Sequence, residues 1–524
     1  MKRPLARILA VALSALAIGV GAKSVDAMPA PATAAPIVAP TVGGSGWTRS
    51  AIAKLDADLD AILAASPTIH GAHVGIRVID TRTNAVLFNR NGDDEFQPAS
   101  TLKLLVGSAA LEKLGPAFRF RTTMGIFVDD AKIAALVLHG VGDPTLATAD
   151  LVAGIATIAP ADRLTLASVA IDATAFDEKP YPDGWTWDDF AQDYAPHLSA
   201  VTVDENIVTL RVTPGATVGA AAEVSVVDPR TATHVVQRCN AFVGRFVRVV
   251  SGATTGANGS DDTIDVTRNR GGCPQVVGSI PLGAAAETVA TAVASPVFAA
   301  SETLAALLGL MSPTRARDGM PAEESESLDD FARFRSSEAT NERIVWTHDS
   351  QPLASLLGPR FWLPSDNLFG ELLLEQLGLA TAGKPGTTVK GIVTEKQWLQ
   401  SIGVDPATVT LADGSGLSQY DRITPRDLIA ILQHDWNGPN RQLVLDSLPV
   451  GGVRGTIEGI AGSPAAGRVF AKTGSMMHVR GLAGYLAPMR HGAVTFAFNV
   501  DDWNGAYPDL AAVRAAVLAR IVTD

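Results

Sequence analysis

The stretch Phe96-Gln97-Pro98-Ala99-Ser100-Thr101-Leu102-Lys103-Leu104-Leu105 joins two kinds of structure. Pro98 ends an extended segment, and an apolar helix is predicted from there to about Leu114. Ser100 therefore falls at or near a helix N-terminus, where backbone N–H groups and the dipole favour negative charge. Lys103 follows three residues later on the same helical face, so its amine can reach the Ser100 hydroxyl. To accept that proton the amine must be neutral, which calls for burial and for nearby cations such as Lys472.

Upstream, His73 to Asp80 and Ala85 to Asn89 alternate about Thr81-Arg82-Thr83-Asn84 and predict a hairpin. Before it, Ile52, Leu55, Leu59, Ile62 and Leu63 recur at helical spacing within Trp47 to Ser66. Asp56, Asp58 and Asp60 on that helix mimic a calcium loop, but Ala61 stands where the sharp turn requires Gly, and a solvated face suffices. His70 and His73, at a turn-to-strand junction without an adjacent acid in sequence, read as structural.

Downstream, from about Phe118 to Ala292, the texture becomes β-rich. Short alternating runs at Ala134 to Leu138, Ile207 to Val212, Ala222 to Val227 and Phe246 to Val250 are separated by Gly, Pro, Asp and Asn clusters. Helical periodicity returns at Pro296 to Leu310, and Asp509 to Val522 forms an amphipathic helix expected to dock on a sheet. The expected organisation is one domain formed by residues 47–117 and 293–524, with residues 118–292 inserted.

The chain of 524 residues carries 42 Lys+Arg against 54 Asp+Glu, and 47% of it is hydrophobic. That apolar fraction excludes pervasive disorder, and an acidic chain without clustered Lys/Arg lacks the footprint of a nucleic-acid binder. Only 11 of the 42 basic residues are lysines, none between Lys179 and Lys384, so each retained lysine calls for a reason. Lys2, Arg3 and Arg7 precede an apolar run from Ile8 to about Ala22, which suits a signal peptide over residues 1–27. An uncleaved N-terminal anchor, giving membrane association, is the alternative. Residues 28–46, rich in Pro, Ala and Thr, read as a linker. In an exported chain Cys239 and Cys273 favour one disulfide, two free thiols being the alternative.

Two further clusters give the Ser100 stretch its meaning: Ser365-Asp366-Asn367 and Lys472-Thr473-Gly474. Ser365 supplies a hydroxyl to relay a proton to a leaving nitrogen, and Asn367 an amide to hold a substrate carbonyl and fix the lysine. Lys472 supplies positive charge for a substrate carboxylate, Thr473 a hydroxyl, and Gly474 a close approach of substrate backbone to an edge strand. Val479 to Leu486 is expected as that strand's neighbour, and the N–H groups of Ser100 and Ser475 as the oxyanion hole. Any S-x-x-K alone is weak, but the three clusters in this order carry the pattern of acyl-serine penicillin-recognising enzymes.

On these motifs the sequence resembles the D-alanyl-D-alanine carboxypeptidases/endopeptidases among the class C low-molecular-mass penicillin-binding proteins. Gly142-Asp143-Pro144-Thr145, Trp185-Thr186-Trp187-Asp188-Asp189 with Tyr194, Asp204-Glu205-Asn206, Asp413-Gly414-Ser415-Gly416-Leu417-Ser418 and Thr424-Pro425 extend the resemblance over residues 47–520. It implies an α+β fold, a β-lactamase/D,D-peptidase-like core of antiparallel sheet flanked by helices, built from both chain ends around a β-rich insertion. It also implies a serine peptidase of the bacterial cell envelope, periplasmic or otherwise extracytoplasmic, acting on peptidoglycan stem peptides and inhibited by β-lactams. No cofactor and no metal are expected. Phe361-Trp362-Leu363-Pro364 and Met476-Met477-His478 depart from the pattern and bear on substrate preference. A β-lactamase is the runner-up, weakened by the absence of an E-x-x-L-N pattern. A noncatalytic penicillin- or peptidoglycan-binding protein is the third reading, although a pure binder needs neither Lys103 nor Ser365.

Overall fold

The computed structural model describes residues 35–128, 134–177, 179–227, 234–236, 248–269, 272–293, 295–310, 342–457 and 460–524. The proposed signal segment, Phe246 and Cys239 lie outside them. A five-stranded antiparallel sheet holds the chain's two ends together. Its order is Val469–Met476, Val479–Leu486, Val494–Asp501, His73–Asp80, Val86–Arg90. The first hairpin of the chain thus pairs with the last strand, His73 opposite Asp501 and Asp80 opposite Val494.

Both faces of this sheet are covered, which is why nearly every residue of Val479–Leu486 and Val494–Asp501 is buried. Val494, Phe496, Phe498 and Val500 point to one side, with Leu482, Leu486, Ile76 and Val78. There they meet Leu55, Leu59 and Leu63 of helix Arg49–Ala64 and Leu510, Val517 and Ile521 of helix Tyr507–Thr523. The docked C-terminal helix is thereby found as expected. Ala483, Tyr485 and Ala497 point to the other side, against Leu104, Leu105, Phe369, Leu373, Leu428 and Leu432. These belong to helices Lys103–Lys113, Asn367–Ala382 and Pro425–Asn437.

The middle of the chain forms separate sheets with cores of their own. A four-stranded sheet runs Glu342–Asp349, Arg121–Val128, Ala134–His139, Leu166–Asp172. Leu304 of helix Pro296–Leu307 shares its apolar cluster with Met124, Leu136 and Leu138. Helix Pro296–Leu307 and strand Glu342–Asp349, which the sequence reading placed with residues 293–524, thus pack and pair with this sheet, the strand more than 200 residues from its partner Arg121–Val128. A second cluster, with Val208, Leu210, Val249, Val266 and Val276, joins the remaining β-rich strands.

The end of the Pro/Ala-rich segment, read as a linker, is held by backbone hydrogen bonds. Val38 N–H donates to Gly467 O (2.9 Å) and Ala493 N–H to Thr41 O (2.9 Å), and Ser45 bonds to Arg490 O through backbone and side chain. Residues 38–45 lie along the body because an extended chain can be fixed by backbone pairing without an apolar face of its own.

Gly107 shows how tightly the nucleophile helix is packed. A Cβ there would lie 2.6 Å from Cζ2 of the fully buried Trp362, whose indole N–H donates to Lys103 O (2.9 Å). Gly107→Ala gains about 1 kcal/mol of helix propensity but forces a shift of the indole, a cost of about 1–3 kcal/mol. A lower Tm is expected by calorimetry, and an unchanged or raised Tm would show that the indole yields freely.

Candidate active site

Ser100 sits in a 3₁₀ turn, Ala99–Leu102, that precedes the α-helix beginning at Lys103. Ala99 enters the turn with φ +44°, a left-handed conformation that costs a non-glycine residue energy. The turn is closed by Thr101, whose hydroxyl donates to Pro98 O (2.7 Å). It rests on a patch without side chains. Gly474 and Gly481 face each other across adjacent strands. A Cβ on Gly474 would lie 2.6 Å from Pro98 O and 3.2 Å from Ser100 N, and one on Gly481 2.9 Å from Thr101 Cγ2. On the face where a Cβ of Gly474 would point, the room is taken by the turn that carries Ser100.

Lys103 is fully buried. Its Nζ donates to Ser100 Oγ (2.8 Å), Asn367 Oδ1 (2.6 Å) and Ser415 O (2.8 Å). Asn367 in turn donates through Nδ2 to Tyr194 O (2.8 Å), which fixes the amide so that its oxygen faces the lysine. Burial lowers the Lys103 pKa to about 8, against the opposing pull of Asp413, Glu371 and Asp366. Burial, and then the nearby Lys103 amine, hold Lys472 well below the usual lysine range.

Lys472 lies on the edge strand Val469–Met476, so the predicted edge is found, with Val479–Leu486 as its neighbour. Its Nζ donates to Ser365 Oγ (2.8 Å) and Thr473 O (3.0 Å). Ser365 has φ +66° and sits between the π-helical turn Leu357–Trp362 and helix Asn367–Ala382. Asp366 caps that helix by accepting from Phe369 N–H (3.0 Å), so the motif's acid is a structural residue. The Thr473 hydroxyl bonds to that of Thr456, and Ser475 is exposed at the end of the strand. Of the departures from the family pattern, Phe361 and Trp362 are core residues, while Met477 and His478 form the hairpin turn, with Met477 83% exposed.

The inserted region reaches this site directly. Besides the Tyr194 carbonyl, Trp185 Nε1–H donates to Asp413 Oδ2 (2.9 Å), Ser418 Oγ–H donates to Asp183 O (2.7 Å), and Glu205 pairs with Arg360. The sequence reading noted the 413–418 segment without a role, and it missed Glu371. Both are wrapped behind Lys103. The legible signal was a carboxylate in a helix, Asn367–Ala382, that has no polar face.

Other sequence candidates fall outside the cluster. His73 pairs with Asp94 (3.0 Å), distant in sequence, and stacks on Phe96; His70 approaches Ala64 O. Asp58 and Asp60 pair with Arg520 and Arg90 on the surface. Cys273 is buried and disulfide-bonded.

A hydroxyl and an amine held this way beside the edge of a covered antiparallel sheet equip a serine hydrolase that uses lysine in place of histidine. The comparisons give the family. The model of the D-Ala-D-Ala carboxypeptidase 3 (S13) family matches residues 55–520, and the chain belongs to that family, whose members are serine-type D-Ala-D-Ala carboxypeptidases. A D-alanyl-D-alanine carboxypeptidase of Actinomadura sp. (strain R39) is 32% identical over 90% of this chain and 85% of its own length. The carboxypeptidase DacB of Haemophilus influenzae is 22% identical over 83% of this chain and 86% of its own length. The crystal structure of penicillin binding protein 4 (dacB) from Haemophilus influenzae superposes with a TM-score of 0.70 at 20% identity, over 87% of this chain and 97% of that one.

A rate that depends on neutral Lys103 rises with pH, since deprotonation creates the base. The acylation rate measured with a penicillin is expected to climb through an inflection at about 8 and level off above it. A flat profile across that range would remove Lys103 as the group that limits the rate.

Proposed function

We propose that Ser100 is the nucleophile and Lys103 the general base of a D-Ala-D-Ala carboxypeptidase acting on peptidoglycan stem peptides. The observation that carries the reading is the 2.8 Å hydrogen bond between Ser100 Oγ and an amine whose pKa burial has lowered to about 8. Ser100 Oγ attacks the carbonyl of the penultimate D-Ala while its proton passes to Lys103 Nζ. Backbone N–H groups of Ser100 and Ser475 hold the oxyanion. Ser365 relays a proton to the departing D-Ala nitrogen, drawing on Lys472 through their 2.8 Å contact. The proton that Lys103 took from Ser100 passes on to Lys472, so both amines return to their starting states. Water then attacks the acyl-Ser100 ester, and Lys103 takes its proton and delivers it to Ser100 Oγ as the ester C–O bond breaks. Asn367 keeps Lys103 in place and presents its amide to the substrate.

Lys472 receives the terminal carboxylate of the substrate. Burial favours its neutral form, and an arriving carboxylate restores its charge, so the pair forms together. Thr473 flanks that carboxylate. A β-lactam enters the same chemistry because its ring amide occupies the place of the scissile bond, and its opened ring leaves an acyl group on Ser100. The same steps open a D,D-cross-link, so endopeptidase action uses no further residue.

The chain works in the cell envelope. We take residues 1–27 as an export signal, with extracytoplasmic action following from it. Among the described residues no helix is long and apolar enough to cross a membrane. Cys239 is the partner we assign to Cys273. Residues from about 118 to 349 form the inserted region in this reading, and their contacts with Asn367 and Asp413 make it part of the site's frame.

Intact mass and peptide mapping after incubation with penicillin test the assignment, alongside D-Ala release from a purified stem peptide. Wild type is expected to carry an adduct on Ser100 and to release D-Ala. Ser100→Ala is expected to show neither. An adduct elsewhere, or peptide hydrolysis at the Ser100→Ala level, would overturn the assignment, and drug consumption without an adduct would point to a β-lactamase.

A further inference from the structure

Behind Lys103, away from the Ser100 hydroxyl, lies a loop wound around two buried carboxylates. Asp413 accepts from Trp185 Nε1–H (2.9 Å), from Gly416 N–H (2.7 Å) and Ser418 N–H (2.7 Å), and from the amide (3.2 Å) and hydroxyl (3.1 Å) of Ser415. Glu371, fully buried on helix Asn367–Ala382, accepts from Gly414 N–H (3.0 Å) through one oxygen and from Ser415 N–H (2.8 Å) through the other. The outcome of this winding is a single carbonyl, Ser415 O, set 2.8 Å from Lys103 Nζ. We propose that Glu371 is a positioning residue for the reaction, holding the Gly414–Ser415 amides so that the Ser415 carbonyl stays on the Lys103 amine.

Two features make this more than a structural tie. Both Glu371 oxygens take a backbone donor, an arrangement that a carboxylate satisfies and a carboxamide cannot, since an amide nitrogen turned to one N–H would oppose it. And Glu371 acts on Lys103 by charge as well as through the loop. The groups that face Lys103 are Ser100 on its own segment, Asp366, Asn367 and Glu371 on the helix, Asp413 and Ser415 on the loop, and Lys472 on the edge strand. Burial pushes Glu371 itself up, with Asp413 adding to the push, while its two backbone donors and Lys103 oppose it. The backbone donors, one on each oxygen, favour the carboxylate against that push, and a carboxylate there strengthens Lys103 as a base and stabilises the ammonium that forms when Ser100 gives up its proton.

The inference rests on Ser100 and Lys103 being nucleophile and base. An adduct mapped to a residue other than Ser100 in wild type would remove that reading, whereas normal wild-type acylation with unaffected Glu371 variants would remove only the role given to Glu371. The experiment is the acylation rate by benzylpenicillin against pH in the full-length protein, counted per penicillin-titrated site so that misfolded molecules do not enter. Glu371→Gln is expected to lower the plateau rate by about tenfold or more and to move the acid limb down by about half a unit to one unit, because a weaker base is neutral at lower pH. Glu371→Asp, which keeps the charge but withdraws it from the loop, is expected to lower the plateau with the limb near its wild-type position. Glu395→Gln is the control. Glu395 is buried near Glu371 and Asp413 with neither oxygen hydrogen-bonded, so it holds no part of the loop by a hydrogen bond and a wild-type profile is expected. A wild-type profile in Glu371→Gln, a fall in plateau with an unmoved limb, or the same limb shift in Glu395→Gln would each overturn the proposal. Should Glu371→Gln yield no titratable sites, a wild-type plateau in Glu371→Asp overturns it and a lowered one supports it.

Discussion

A lysine amine in water near neutral pH already holds its extra proton, and the site depends on the removal of water from Lys103. Once buried, the amine must find hydrogen-bond partners within the protein, and the chain brings them from three places: Ser100 in the preceding turn, Asn367 at a helix start, and Ser415 in a loop. Each partner is held in turn by something else. Asn367 is oriented by the Tyr194 carbonyl, and the Ser415 loop by Asp413 and Glu371. Desolvation costs free energy that the fold must supply, and the covered sheet with its two apolar layers is where that free energy comes from.

The edge strand does two jobs with alternate residues. Lys472 projects toward Ser365, while two positions along, Gly474 leaves the room in which the nucleophile turn lies. Backbone strain collects at the same place: Ala99 and Ser365, each adjoining a reacting group or being one, have positive φ. Packing on both sides holds them there, since isolated residues of these types prefer other conformations. The turn, the strand and the Ser365 connection thus brace one another across a gap too narrow for a methyl group.

Much of this was legible in the residues. The spacing of Ser100 and Lys103 on a helix face, the edge position of Lys472 and the return of the chain's end to its beginning follow from periodicity and motif order. What was not legible has physical causes. Ser415 contributes a backbone carbonyl, which every residue owns, so no side chain marks it. Glu371 looked like one more charge in a leucine-rich helix. The pairing of Glu342–Asp349 escaped because this strand, an exposed edge with Ile344 half open to solvent, lacks the alternation of a buried strand and takes its register from a partner far back in the chain. Residues 38–45 are fixed by main-chain hydrogen bonds, to which composition is blind.

The order of the five-stranded sheet also governs when the protein can exist. Val494–Asp501 lies between the first hairpin and the strand Val479–Leu486, so the opening strands have no sheet to join until the final few dozen residues are present. The closing entropy of a loop spanning most of the chain must be met before the largest core forms, which makes this a high-contact-order fold. Until Val494–Asp501 is in place the sheet is split in two, and the face against which helix Lys103–Lys113 packs is incomplete. The dryness of the Lys103 amine is thus a property of the assembled sheet, carried by no single segment of the chain.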